Sequence, residues 1–290
     1  MASSALVKTG RITPFDDLLV DPKIAAAFDH LPQTVDLNSL GYDRWGFQPQ
    51  AARVYYSLAH KIYQYFRPNI MGIEKIPQGR VLIVPNHSGQ LPFDGLVIAV
   101  ACLLELQPPR LVRAMAERWF PTLPWVNIAF SRSGVVVGDP INCKNLLEAD
   151  NAILVFPEGT RGSGKIFQKR YQLADFGRGF VRLALQTNTP IVPVSVVGGE
   201  ESIISIANLK PLAKLLGAPY APVPALFPLL GPLAFLPMPV RMHIRFGDPI
   251  HFTGRFDDED DAIQEKVNVV TRAIDTMNTQ SRAERKGWFK

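Results

Sequence analysis

Val81-Leu82-Ile83-Val84-Pro85-Asn86-His87-Ser88-Gly89-Gln90-Leu91-Pro92-Phe93-Asp94-Gly95 decides how the chain is read. The first four residues are apolar without polar alternation, the pattern of a strand covered on both faces in a parallel sheet. Pro85 and Gly89 then break the chain, His87 supplies an imidazole and Asp94 a carboxylate. Residues 96–106 turn apolar again over a length that suits a buried helix. Open α/β sheets place their chemistry at the C-terminal ends of such strands. A carboxylate holding an imidazole is also how histidine becomes a base near neutral pH. Asp94 has a second reading, as the N-cap of a helix opening at Gly95.

Working outward, residues 110–115, 135–137, 152–156, 191–197 and 240–246 read as strands, and 141–149 and 176–186 as helices. Residues 121–130 read as an irregular apolar stretch. The alternation predicts an α/β fold with a largely parallel central sheet flanked by helices. An N-terminal amphipathic helical segment precedes it. The expected division is residues 1–70 for that segment, 71–255 for the α/β domain, and 256–290 for a last helix and a basic, frayed tail. The last helix, 258–277, has Ile263, Val267, Val270 and Ile274 as its apolar face.

Two segments bear on lipid. A short helical possibility covers 15–30, and a sharper one covers 48–67. In the second, Ala51, Tyr55, Leu58, Ile62 and Phe66 share one face. Arg53, Ser57, His60, Lys61, Gln64 and Arg67 lie opposite. It reads either as a helix packed on the main domain or as an interfacial helix with cations toward headgroups. Residues 209–240 are rich in Leu, Phe and Ala, with eight prolines. A proline inside a helix costs about 3 kcal/mol, so this is neither a membrane span nor one long helix. It is a kinked apolar excursion, serving as core cover or as the wall of a lipid or acyl pocket.

The totals narrow the classes. At 47% hydrophobic and 20% charged, the 290 residues can bury a sizeable core and are not a disordered chain. Cys102 and Cys143 lack metal spacing and read as free thiols in a reducing compartment. Five scattered histidines offer no zinc motif, so no metal is expected. A net charge of +5 points to an anionic partner: nucleic acid, phosphorylated substrate or acidic headgroup. No secretory h-region and no apolar run near the ~20 residues of a span are visible. The expectation is a cytoplasmic protein whose membrane contact is peripheral.

A second strand-end loop, Pro157-Glu158-Gly159-Thr160-Arg161-Gly162, opens a basic stretch of Arg161, Lys165, Lys169, Arg170, Arg178 and Arg182. If both loops face one crevice, a base and an anion clamp meet there. Gly159 to Lys165 nearly fits a phosphate-binding P-loop. Ile166 stands where that motif needs a hydroxyl for magnesium, and Glu158 puts a carboxylate where phosphates belong. No G-x-S-x-G is present for a serine hydrolase. Phe167, Tyr171 and Phe176 are thin support for nucleic-acid binding, and no nucleic-acid partner is expected. A non-enzymatic peripheral lipid-binding module leaves His87 and Asp94 unexplained.

Asn86-His87-x6-Asp94, Phe130-Ser131-Arg132, Phe156-Pro157-Glu158-Gly159-Thr160-Arg161 and Ile191-Val192-Pro193-Val194 resemble the four ordered blocks of the glycerolipid (lysophospholipid) acyltransferase superfamily. The Gly-Pro-rich stretch to Pro249 resembles its monoacylglycerol/diacylglycerol acyltransferase-like branch. The resemblance implies that residues 71–255 are the acyltransferase domain. His87 would be general base, oriented by Asp94, with no enzyme nucleophile because a thioester is already activated. Arg132, Glu158, Gly159, Thr160 and Arg161 would position the acceptor's glycerol and phosphate. Acyl-CoA or an acyl carrier protein would be the donor substrate, a lipid hydroxyl the acceptor, with no cofactor. One departure stands out: six residues, Ser88 to Phe93, separate His from Asp where the family has four. Gly89 and Pro92 offer the means for the extra residues to bulge.

Overall fold

The computed structural model of the chain describes residues 19–32, 35–215 and 217–290. Helices α1 (Pro22–Asp29) and α2 (Pro49–Phe66) come first; residues 15–18 of the expected early helix lie outside the described ones. Then follow β1 (Asn69–Met71), β2 (Val81–Pro85), α3 (Phe93–Leu104) and β3 (Val112–Ala116). Next are α4 (Val126–Ser133), β4 (Val136–Val137), α5 (Pro140–Glu148), β5 (Ala152–Leu154) and the single turn α6 (Thr160–Ser163). After α7 (Gly179–Thr187) and β6 (Ile191–Val197) comes an excursion of β7 (Ser205–Asn208), α8 (Lys210–Leu215), β8 (Pro222–Pro224) and α9 (Phe227–Leu230). The chain ends with β9 (His243–Phe246) and α10 (Asp260–Glu284).

The main sheet has the order β1-β9-β6-β2-β5-β3-β4. From β6 to β4 every pairing is parallel; β9 runs antiparallel to β6, and β1 follows β9. The expected α/β architecture is therefore present, with an antiparallel pair at one edge. β2 and β6 are buried at every position, which is why they carry no polar alternation. Successive residues of β2 serve opposite faces. Val81 and Ile83 pack with Val97, Ile98 and Ala101 of α3, while Leu82 and Val84 meet Leu147, Val181, Val267 and Ile274. Each such burial is worth about 1.5–3 kcal/mol. α10 thus closes the second face as part of the same core as β2.

Pro193 sits inside β6 without an N–H to donate. The ladder to β9 runs only from Val194, opposite Phe246. Beside Pro193 the Gly247 N–H donates to its carbonyl at 2.8 Å, and a Cβ on Gly247 would lie 2.9 Å from the proline ring.

Three local expectations change. α2 is a helix, but its buried face carries Ala52, Tyr56, Ser57, His60 and Phe66, while Leu58 is 57% exposed. Long-range partners make the polar pair buriable: Asp21 takes His60 Nδ1 at 2.8 Å, and its own N–H donates to Ser57 Oγ. The stretch before Ser131 is not irregular throughout, because α4 begins at Val126. The tail is docked, not frayed: Arg285 pairs with buried Glu201 at 2.5 Å, and the Trp288 ring meets Phe167 edge-on.

Candidate active site

Asn86 ends β2 by imitating one more ladder residue. Its side chain donates to the Val196 carbonyl at 3.0 Å and accepts from the Val196 N–H at 2.8 Å. His87 therefore leaves the sheet at a fixed point. Its Nδ1 lies 2.8 Å from Asp94 Oδ2, and that oxygen also accepts from the Ser88 N–H at 3.0 Å. Asp94 is not an N-cap: α3 starts at Phe93 with Pro92 in the cap position, so the carboxylate lies in the first turn. There the helix dipole favours the anion, and burial removes competing water. A carboxylate acceptor places the ring proton on Nδ1. Among the described residues Nε2 has no hydrogen-bond partner, and it is not a sealed-off atom.

The six-residue spacing is accommodated inward. Gly89, at φ +109°, lies against Gly199, and a Cβ on Gly199 would meet the Ser88 carbonyl oxygen at 1.9 Å. Ser88 Oγ donates to Glu200 Oε2 at 2.5 Å and accepts from the Gly199 N–H at 3.0 Å. Gln90 Nε2 donates to the Lys165 carbonyl, and its own carbonyl accepts from Tyr220 Oη. Ser88, Gly89 and Gln90 are thus packed against β6's downstream turn and the Lys165 loop, while Leu91 and Pro92 are exposed.

The second loop buttresses the first. Phe156 stacks on the His87 ring with centroids 4.0 Å apart, and Gly95 leaves room for it. Glu158 is buried and accepts from the backbone N–H groups of His87 at 2.8 Å and Ala174 at 2.7 Å. Lys165 crosses between the loops, donating to the His87 carbonyl at 3.0 Å, Glu158 Oε2 at 3.2 Å and the Gln172 carbonyl at 3.0 Å. Its amine is fully engaged, so the near-P-loop is no phosphate cradle. Gly162 closes the contact: an added Cβ would stand 2.7 Å from the Cβ of both His87 and Glu158. Gly162→Ala is expected to shift the His87 loop and lower kcat by roughly 10²-fold, the effect of a misplacement near 1 Å. Wild-type turnover in a variant with unchanged circular dichroism would show that the loops tolerate separation.

The remaining sequence-derived site residues are dispersed. Thr160 and Arg161 sit on α6; Arg161 is exposed, with no hydrogen bond or ion pair among the described residues. Gly159, in a left-handed turn, faces Glu117 beyond β3. Arg132 is on α4, its guanidinium 6.0 Å from the Tyr42 ring. Its carbonyl accepts from the Gln48 N–H, within an N-terminal strap anchored by the buried Asp43–Arg113 pair at 2.7 Å. The basic stretch does not form one anionic cradle. Arg178 and Arg182 pair with Asp260, and Arg170 lies over Phe167.

Sequence reasoning missed Glu200, Ser88 and Lys165 as members of the site's support. Only the odd pair Glu200-Glu201, just after a strand apolar but for Ser195, hinted at buried partners. Burial pushes the Glu200 carboxyl upward, against the pull of Lys165 and the Ser88 hydroxyl. Ser88 and the two cysteine thiols are not poised as nucleophiles. Ser88 Oγ is committed to Glu200, and burial raises the Cys102 thiol to about 12 and the Cys143 thiol to about 11. Among the described residues no group of His, Cys, Asp or Glu has the makings of a metal site. An imidazole base with an open Nε2 suits proton removal from a substrate hydroxyl.

A family model described as Acyltransferase matches residues 67–197. An uncharacterised protein of Mycobacterium tuberculosis is 38% identical over 253 residues, covering 86% of this chain and 70% of that protein. The "DGAT1/2-independent enzyme synthesizing storage lipids" of Mus musculus is 25% identical over 210 residues, 71% of this chain and 59% of that enzyme. The chain belongs to the glycerolipid acyltransferase superfamily. The crystal structure of the 1-acyl-sn-glycerophosphate acyltransferase from Thermotoga maritima has the same fold, with a TM-score of 0.54 at 17% identity. That match covers 82% of this chain and 83% of the other. The matched family segment holds both strand-end loops of this acyltransferase, and with them His87, Asp94, Glu158 and Arg161.

Proposed function

We propose that this acyltransferase moves a fatty acyl group from a thioester, acyl-CoA or acyl carrier protein, to a hydroxyl of a phosphate-bearing glycerolipid at a membrane surface. The observation that carries the reading is His87: Nδ1 held by buried Asp94, Nε2 open, at the end of a parallel strand. Nε2 takes the acceptor's hydroxyl proton as its oxygen attacks the thioester carbonyl. The tetrahedral intermediate collapses with loss of the C–S bond, and the imidazolium returns the proton to the departing thiolate. Asp94 keeps the tautomer and stabilises the transient imidazolium.

Arg161 is the group suited to the acceptor's phosphate, being exposed, without an ion-pair partner among the described residues, and on the adjacent loop. Glu158, with its oxygens spent on the loops, serves as their tie. A cavity of about 360 Å³ opens at the ends of β3 and β4, lined by apolar side chains such as Phe120, Ile128, Phe130 and Val136. It has room for an acyl chain, two strands away from β2 in the sheet. No helix among the described residues is long and apolar enough to cross a membrane, in keeping with peripheral attachment.

The test incubates purified protein with acyl-CoA and lysophosphatidate, following thiol release and lipid product together. Thiol release without a new ester, or neither, sinks the reading. Arg161→Lys then separates acceptor classes, because a planar guanidinium holds two phosphate oxygens and an ammonium does not. kcat/KM for lysophosphatidate is expected to fall roughly 10–100-fold, with much less loss for monoacylglycerol. Equal loss with both acceptors would make Arg161 a structural residue of its loop.

A further inference from the structure

Residues 202–247 contain no aspartate or glutamate, while Lys210, Lys214, Arg241 and Arg245 lie among them. Within that acid-free region the chain makes a stalked excursion. Ala225 N–H donates to the Ile204 carbonyl at 2.8 Å, and Met238 N–H to the Ser202 carbonyl at 2.7 Å. Both ends therefore spring from one point. Between them α9 and a 3-10 turn, Gly231–Phe235, are locked by the edge-on rings of Phe227 and Phe235, 6.1 Å apart. Pro228, Pro232 and Pro237 restrict the backbone further. The result is a rigid knob that holds apolar groups outward: Leu229 is 81% exposed, Leu236 66% and Leu233 63%. Leu226, Phe227 and Phe235 are exposed beside them. An apolar surface of this kind, held out to water, marks an interaction site.

The knob is fixed to the catalytic loops. Its root at 202–204 follows directly on Glu200, which holds Ser88. The same excursion sends Tyr220 Oη to the Gln90 carbonyl and Asn208 Nδ2 to the Gly164 carbonyl. On its other flank Tyr65 Oη donates to the Pro237 carbonyl and Arg67 to the Pro239 carbonyl, bracing it on the end of α2. Apolar projection, an acid-free segment that carries exposed Lys214, and connection to the site agree on one occupant.

We infer that the 225–238 knob seats this enzyme on an anionic lipid bilayer, its leucines among the acyl chains and Lys214 of the same acid-free segment against headgroups. The inference rests on the acyl-transfer reading for the site the bilayer serves. It assigns the contact to this knob; on α2, Arg53 is committed to Asp29 and only Lys61 is an exposed cation, while Arg67, just past its end, braces the knob's own flank.

The experiment is co-sedimentation of the full chain with phosphatidylcholine vesicles and with phosphatidylcholine/phosphatidylglycerol vesicles. The triple variant L229S/L233S/L236S is expected to bind on the order of 100-fold more weakly, and L229S alone roughly 10-fold. Lys214→Glu should weaken binding only to the anionic vesicles and reduce its sensitivity to salt. Melting by circular dichroism, and acyl transfer to a short-chain lysophosphatidate kept in monomeric solution, should match wild type in the triple variant. Wild-type vesicle binding by that variant overturns the inference. So does a wild-type dimer that the variant dissociates in sedimentation velocity, which would give the knob to a second copy. If neither protein transfers acyl groups while vesicle binding still follows the knob, the docking surface stands and the reaction assignment falls.

Discussion

His87→Ala is expected to lower acyl transfer by roughly 10²–10⁴-fold, the usual worth of a general base, in a protein that stays folded. The fold should survive because the loop is held by other groups. The His87 N–H and carbonyl are engaged by Glu158 and Lys165 whatever side chain stands there, and Ser88 keeps its bonds to Glu200 and Gly199. The measurement is single-turnover transfer from acyl-CoA, so that product release does not mask the chemistry. Near-full activity would remove His87 from the mechanism. Asp94→Asn should lose less than His87→Ala but still clearly. Asparagine keeps an oxygen for the Ser88 N–H, yet its amide can leave the ring in the wrong tautomer and supplies no charge against the imidazolium.

Lys165→Met is expected to destabilise the fold by about 3–5 kcal/mol, the cost of leaving a buried carboxylate without its cation. Glu158 would keep two backbone N–H donors but no counter-charge, and two carbonyls, of His87 and Gln172, would lose their donor. Against a typical total of 5–15 kcal/mol the loss is large, and urea denaturation should show it as a lower midpoint. Adding Glu158→Gln should restore part of the stability, because the buried charge goes with its partner. A variant as stable as wild type, with a raised KM for a phosphorylated substrate, would instead make Lys165 a ligand-binding cation and reopen the phosphate-loop reading.

How much of this was legible follows from distance along the chain. His87 and Asp94 belong to one strand-loop-helix unit, so their juxtaposition was readable from β2's apolar run and the helix behind it. Arg161 and Glu158 were equally readable as strand-end residues, but their roles were not. Glu158 turned inward, where the His87 N–H, 71 positions away, needed an acceptor; Arg161 is exposed on the same loop. Lys165 looked like part of a phosphate motif, since its partner at His87 lies 78 positions upstream. In α2 the period announced a helix, but Asp21 rotated the buried face onto Ser57 and His60.

By itself the sequence determined the local choices: which runs become strands, where Gly and Pro end them, and which loop carries an imidazole and a carboxylate. Those choices rest on backbone sterics and on apolar periodicity, which act over a few residues. Only the tertiary structure decided which charges are buried and paired, which way the six-residue loop folds, and that the proline-rich excursion is a projecting knob and not core cover. Each of these is a contest between desolvating a polar or apolar group and finding it a partner. The partners come from strands and loops that meet only when the sheet is assembled.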